Sequence, residues 1–178
     1  QINHLINEIN RSIWVEDKMI GCAAIILAGL SYKNEKYLVY GLDLLKKIID
    51  TSFDNVGFPK SRNIRQLNFF LKYFILIREW FKESQNEIPD YLNEIIFLNG
   101  QSYSLLLQTI NNGLLFNGNQ NSDNTKFENY LKLHNYKFKN DNNEHGGYAV
   151  LKNKNVILSV DIGSSPEKKF SHNYQSGA

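Results

Sequence analysis

Residues 19–30 read Met-Ile-Gly-Cys-Ala-Ala-Ile-Ile-Leu-Ala-Gly-Leu, the longest apolar run of the chain. The run is short of the roughly 20 apolar residues a bilayer-spanning helix needs, and Gly21 and Gly29 interrupt it. It therefore reads as the centre of a buried helix, Trp14 to Tyr32, apolar on most sides. The small residues Gly21, Ala24, Ala28 and Gly29 would let a neighbouring helix approach closely.

The helical period continues on both sides of this run. Upstream, Ile2, Leu5, Ile6 and Ile9 fall on one stripe. Downstream, Asn34 stands as the N-cap of a helix carrying Leu38, Val39, Leu42, Leu45, Ile48 and Ile49. Short connections favour antiparallel neighbours. Asp54 to Ser61, with Gly57 and Pro59, is a loop. Asn63 to Ser84 resumes as a long helix with Phe69, Phe70, Tyr73, Phe74, Trp80 and Phe81. Such a stripe could stack on sugar rings, but at helical spacing it reads first as core. Pro89 suits the first turn of a further helix running to about Ile110, where Glu87 and Asp90 are helix-start acids. A polar break at Asn117 to Asn124 precedes a short helix, Lys126 to His134.

The period then changes. Gly147 to Leu151 and Val156 to Asp161 are β-prone runs separated by Lys152-Asn153-Lys154-Asn155, which predicts an antiparallel hairpin packed against the helical part. Tyr148 and Val150 mark one face, and the other strand offers Val156, Leu158 and Val160. Two strands make no stable sheet alone, so the pair predicts an unpaired edge, exposed apolar surface and a tendency to aggregate. The expectation is an α+β chain: helical hairpins over 1–134, then the opening of a β domain over 135–178. Both ends read as cuts within a larger soluble protein.

Composition narrows the chemistry. The 178 residues carry a net charge of +2 and are 42% hydrophobic, enough for a sizeable core and too balanced for a nucleic-acid or membrane surface. One cysteine, Cys22, excludes an internal disulfide framework and a cysteine-rich zinc site. His4, His134, His145 and His172 are scattered without metal-ligand spacing, and Gly57, Gly113 and Gly118 are isolated turn glycines. No metal or other cofactor is implied. The most suggestive cluster is Gly57 to Asn63, where Lys60, Arg62 and Arg65 gather at a loop-to-helix junction suited to a carboxylate or sulfate. The simpler reading, a helix start capped by Ser61 or Asn63 with solvated cations, ranks ahead on sequence alone.

The order of these elements and several short motifs resembles the heparinase II/III-like family, most closely a bacterial branch of it. Ile26-Leu27-Ala28-Gly29-Leu30 resembles the end of that family's buried helix, and Gly57 with Ser61-Arg62-Asn63 is similar to its Arg-containing loop. Leu115-Phe116-Asn117-Gly118 resembles the turn closing its last hairpins. Gly147-Tyr148 with Val160-Asp161-Ile162-Gly163 resembles the opening of its β domain, and Phe170 to Ala178 the segment that follows. The resemblance implies an α/α-toroid followed by a β-sandwich. It further implies a polysaccharide lyase acting on acidic, uronate-containing glycans by β-elimination, in the cytoplasm or periplasm.

That chemistry needs donors to neutralise the uronate carboxylate, a base for the C5 proton and an acid for the leaving oxygen. The resemblance assigns these to an Asn or His on the buried helix, a Tyr after the Arg loop and a His at the start of the sandwich. This chain has Gly21, Gln66 and Gln175 there. The site it implies comprises Lys60, Arg62, Asn63, Gln66 and Gln175 against substrate, with Tyr174 and His172 as the candidates for proton transfer. The alternative is a non-catalytic acidic-glycan-binding or cell-envelope protein that keeps the fold without the base; a helical interaction scaffold is a third reading. For Arg62 the rival to an anion contact is an internal pair with a carboxylate such as Asp54.

Overall fold

The computed structural model describes residues 1–108 and 125–170. Among these, six α-helices come first: α1 (Ile2–Arg11), α2 (Val15–Ser31), α3 (Glu35–Ser52), α4 (Arg65–Glu83), α5 (Asp90–Tyr103) and α6 (Thr125–Leu133). The strands β1 (Glu144–His145), β2 (Tyr148–Lys152) and β3 (Ile157–Asp161) follow. A π-helical turn, Ser104–Gln108, extends α5, and a 3-10 turn spans Lys168–Phe170. The chain is α+β, with helices first and one antiparallel sheet after them. Two compact units divide it: Gln1–Phe53 with Phe69–Ile96, and Asp54–Asn68 with Phe97–Ala178. The boundary expected between His134 and Gly146 falls between α6 and the end of β1.

In the first unit the apolar run behaves as its composition demands. Met19, Cys22, Ile25 and Ile26 of α2 are fully buried, and each aliphatic side chain so placed contributes about 1.5–3 kcal/mol. Glycines decide how closely its neighbours come. A Cβ on Gly29 would lie 2.7 Å from the backbone nitrogen of Leu38, so α3 runs against the bare backbone of α2 there. Gly21 instead receives a side chain, Ile9 of α1, whose terminal carbon would be 2.2 Å from an added Cβ. Ala24, grouped with them on sequence, is exposed. Gly41 of α3 makes the reciprocal approach, an added Cβ there falling 2.6 Å from Ile26. The aromatic helix α4 buries Phe70, Phe74 and Phe81, and Phe70 meets Phe53 edge-on at 5.0 Å between ring centroids. Phe69, Tyr73 and Trp80 are only partly covered.

Three helices end in the same way. After α2, Lys33 takes a left-handed conformation (φ 52°), and the N–H of Asn34 reaches back to the carbonyl of Gly29 at 2.9 Å. Gln85 after α4 (φ 57°) and Asn135 after α6 (φ 60°) repeat it, with Asn86 bonded to Phe81 and Tyr136 to Leu131. This is the Schellman termination, in which glycine is the usual left-handed residue. Replacing Gln85 or Asn135 with glycine should therefore stabilise the protein by about 0.5–1 kcal/mol each, read as a higher denaturation midpoint. Asn34 goes on to cap α3, its Oδ1 accepting the N–H of Tyr37 at 3.2 Å, as its position in the sequence predicts. Pro89 sits one residue before α5 rather than inside it, its carbonyl accepting the N–H of Leu92 at 3.0 Å.

Cys22 illustrates the dryness of this core. Its thiol donates to the carbonyl of Gly41 at 3.2 Å, and burial pushes its pKa from 9.0 up to about 12. The unfolded chain then loses this proton near pH 9 while the folded one keeps it, so stability falls as pH rises between the two values. The slope should approach 1.4 kcal/mol per pH unit. Urea midpoints measured from pH 8 to 10 should decline, more shallowly in Cys22→Ala, and thiol reagents should label Cys22 only in denaturant.

The sheet belongs to the second unit. β2 pairs with β3 from Tyr148↔Asp161 to Lys152↔Ile157, the predicted hairpin, and Asn153 shapes its turn by accepting the N–H groups of Asn155 and Val156. β1 was not foreseen. It pairs His145 with Tyr148 across Gly146-Gly147, both at positive φ (57° and 74°), the two-residue turn that glycine pairs favour. Tyr148 and Val150 are buried on one face. The register places Leu151, Leu158 and Val160 on the other face, all exposed, with Val156 and Ile162 exposed beside them.

Candidate functional site

The loop that the sequence singles out, residues 54–64, lies in the second unit and is built from the inside. Asp54 closes its first turn: Oδ1 accepts the N–H groups of Val56 at 3.0 Å and Phe58 at 2.8 Å. Gly57 follows at φ +73°, where a Cβ would stand 2.4 Å from that of Leu98, and Asn99 donates to its carbonyl at 3.2 Å. His145 Nε2 donates to the carbonyl of Val56 at 3.1 Å, tying β1 to the same loop.

Arg62 is the centre of the arrangement. Its backbone is left-handed (φ 59°), and its guanidinium donates to the carbonyls of Gly146 at 2.8 Å and Gly147 at 3.1 Å and to the Asp161 carboxylate. The cation lies 4.4 Å from the ring centroid of Tyr148 and 5.6 Å from that of Phe58, close enough for cation–π attraction. Tyr148 donates its hydroxyl back to the Arg62 carbonyl at 3.2 Å. Two glycines make room: a Cβ on Gly147 would come within 2.7 Å of a guanidinium nitrogen, and one on Gly163 within 2.4 Å of its carbon. The Arg62 side chain is 11% exposed and that of Asp161 28%. Arg62 thus faces inward, the internal-pair alternative, with Asp161 in place of the expected Asp54.

The neighbours of Arg62 are also turned inward. Ser61 donates to Gln66 Oε1 and accepts the N–H of Asn63 at 3.2 Å, and all three residues are buried. Asn63 in turn accepts the N–H of Arg65 at 3.0 Å, so α4 starts two residues later than expected. Lys60 is half-buried and stands near Glu167; the hydrogen bond from Lys169, then its charge and that of Lys60, hold the Glu167 carboxyl below its usual range. Arg65 is exposed. Tyr174, His172 and Gln175 lie outside the described residues, as does Leu115 to Gly118. Lys60, Arg62, Asn63 and Gln66 are therefore adjacent, but Arg62, Asn63 and Gln66 hold the loop in shape. Asp161, Tyr148, Gly147 and Gly163 are the partners the sequence reading missed. Only the recurrence of short motifs around them hinted at their importance.

A second polar group lies beyond the loop. Tyr103 donates to Glu128 at 2.6 Å and Gln108 donates to its other oxygen at 3.2 Å. Burial, then the bond to Glu128, push the Tyr103 phenol well above its ordinary range, so it serves as a donor and not as a base. No group of three His, Cys, Asp or Glu side chains able to hold a metal ion occurs among the described residues. None of the described helices is long and apolar enough to cross a membrane. Comparison with protein-family models, curated proteins and solved structures finds no match for this chain.

Proposed function

We propose that the chain is part of a heparinase II/III-like protein that binds acidic, uronate-containing polysaccharide, its helices forming part of an α/α-toroid and its strands opening a β-sandwich. The observation that carries this reading is convergence. Gly57, Ser61-Arg62-Asn63, Gly147-Tyr148 and Asp161-Ile162-Gly163 are the separate stretches on which the resemblance rests in this part of the chain. Of these, Gly147, Tyr148, Asp161 and Gly163 meet around the guanidinium of Arg62, although Arg62 and Asp161 are 99 residues apart. In the sandwich reading, a second sheet would cover the apolar face of Leu151, Leu158 and Val160.

Binding without elimination is the form the geometry favours. Gly21 and Gln66, at two positions where the resemblance calls for chemistry, are buried, one against Ile9 and the other held by Ser61. A lyase reaction would fall to Tyr174 and His172. Uronate-containing polysaccharides should therefore be retained by the immobilised protein without a rise in the ultraviolet absorbance that an unsaturated product gives. Absorbance that grows with time and disappears in Tyr174→Phe or His172→Ala would favour the lyase. Failure to retain any acidic polysaccharide would remove the proposal.

A further inference from the structure

The end of α5 departs from regular helix geometry. Over Ser104–Gln108 the backbone is a π turn, closing on the residue five back instead of four. Such turns are rare and hold one residue more than the α turn they replace, so something outside the helix has to select them. Leu105, Leu106 and Leu107 are all buried there. Three consecutive buried side chains point most of the way round the axis, and their burial alone does not choose between the two registers.

The polar contacts do choose. Tyr103 donates to one oxygen of Glu128 at 2.6 Å, and Gln108 donates to the other at 3.2 Å. These two donors are five residues apart. At 3.6 residues per turn they would stand about 140° apart around the helix and face away from one another. Closure over five residues stacks one above the other, where a single carboxylate reaches both. The upstream side of the turn is anchored independently. Tyr103 is fully buried with its ring edge-on to Phe127 at 5.3 Å. The ring of Phe138 fills the space a side chain at Gly100 would take, and Ser104 donates to the Phe138 carbonyl at 3.2 Å. The extra residue can therefore be taken up or expelled only on the Gln108 side.

We infer that Glu128 is a latch: its carboxylate grips both ends of the turn and holds the end of α5 in the π register. Release of the grip lets the segment close as ordinary α-helix, turning Leu107 and Gln108 by up to about 100° around the axis, the rotation of one residue. The end of α5 is thus a two-position element set by one side chain of α6.

The test reads the hydrogen-bond register directly. In isotope-labelled protein, scalar couplings transmitted through hydrogen bonds identify the carbonyl that each amide uses. The amide of Gln108 should couple to the carbonyl carbon of Tyr103, its partner in the π register, and not to that of Ser104, its partner in an α-helix. Gln108→Glu sets two carboxylates against each other and should move the coupling to Ser104. The ratio of the two registers should change at least about tenfold, the worth of one hydrogen bond to a charged group. Adding Glu128→Gln to that variant restores a donor facing a carboxylate, with the two exchanged between the helices, and should return the coupling to Tyr103. That recovery separates a latch from general damage to the packing. A Tyr103 coupling that persists in Gln108→Glu overturns the proposal, because the leucines would then hold the turn. A double variant that stays in the α register also overturns it, as does a native protein whose Gln108 amide couples to Ser104.

Discussion

Replacing Arg62 with alanine should destabilise the protein by about 3 kcal/mol and leave its affinity for an acidic glycan unchanged. The magnitude follows from what is stranded. The Asp161 carboxylate, its side chain 28% exposed, loses its cation, and the carbonyls of Gly146 and Gly147 lose their donors. Removing one member of a buried pair costs about 3–5 kcal/mol, and the residual exposure of Asp161 places this case at the low end. For a chain of this length that corresponds to a fall in melting temperature of roughly 6–12 °C. Arg62→Lys should recover only part of it, because an ammonium cannot serve two carbonyls and a carboxylate with the planar fork of a guanidinium. A double-mutant cycle with Asp161→Asn would measure the coupling directly. If instead Arg62→Ala leaves stability intact and abolishes glycan binding, the inward role assigned to Arg62 is wrong.

A comparable effect is expected from one methyl group elsewhere. Gly29→Ala places a Cβ 2.7 Å from the nitrogen and 2.8 Å from the Cα of Leu38. Backbone, unlike the tip of a side chain, cannot step aside, so α2 and α3 must separate along their interface. The cost should be about 3 kcal/mol, the upper part of the range for overpacking. Gly21→Ala provides the contrast. Its nearest neighbours are the outer carbons of Ile9, which can change rotamer, so its cost should be distinctly smaller. Denaturant midpoints of the two variants measured side by side would decide the matter; equal losses would mean that α1 is as immovable as α3.

What could be read from the sequence was local. The buried helix, the Asn34 cap and the β2–β3 hairpin each depend on residues a few positions apart, and each is where the pattern placed it. The start of α4 was misplaced because Arg62 adopts a left-handed backbone and Asn63 spends its side chain on Arg65, neither of which periodicity reports. β1 escaped notice because it has only two residues, and Gly146-Gly147 reads equally well as the entry to a strand. The partner of Arg62 lies far along the chain and is fixed by tertiary packing. Asp54, near in sequence, was the natural choice, but its carboxylate is already occupied by the turn it closes.

Gly163 differs from Gly147 in one respect that bears on how this chain can change over generations. Gly147 sits at positive φ and would be strained by a side chain whatever its surroundings, whereas Gly163 has no such backbone requirement, and the nearest atoms an added Cβ would meet there are those of the Arg62 guanidinium. Its freedom to mutate therefore depends on another position. Alanine arriving first at 163 displaces the guanidinium and is selected against; the same alanine arriving after Arg62 has gone no longer meets its nearest obstacle. The two sites form a one-way ratchet. A lineage that once lost the arginine could accumulate side chains at 163, and restoring Arg62 alone would then no longer restore the ancestral stability.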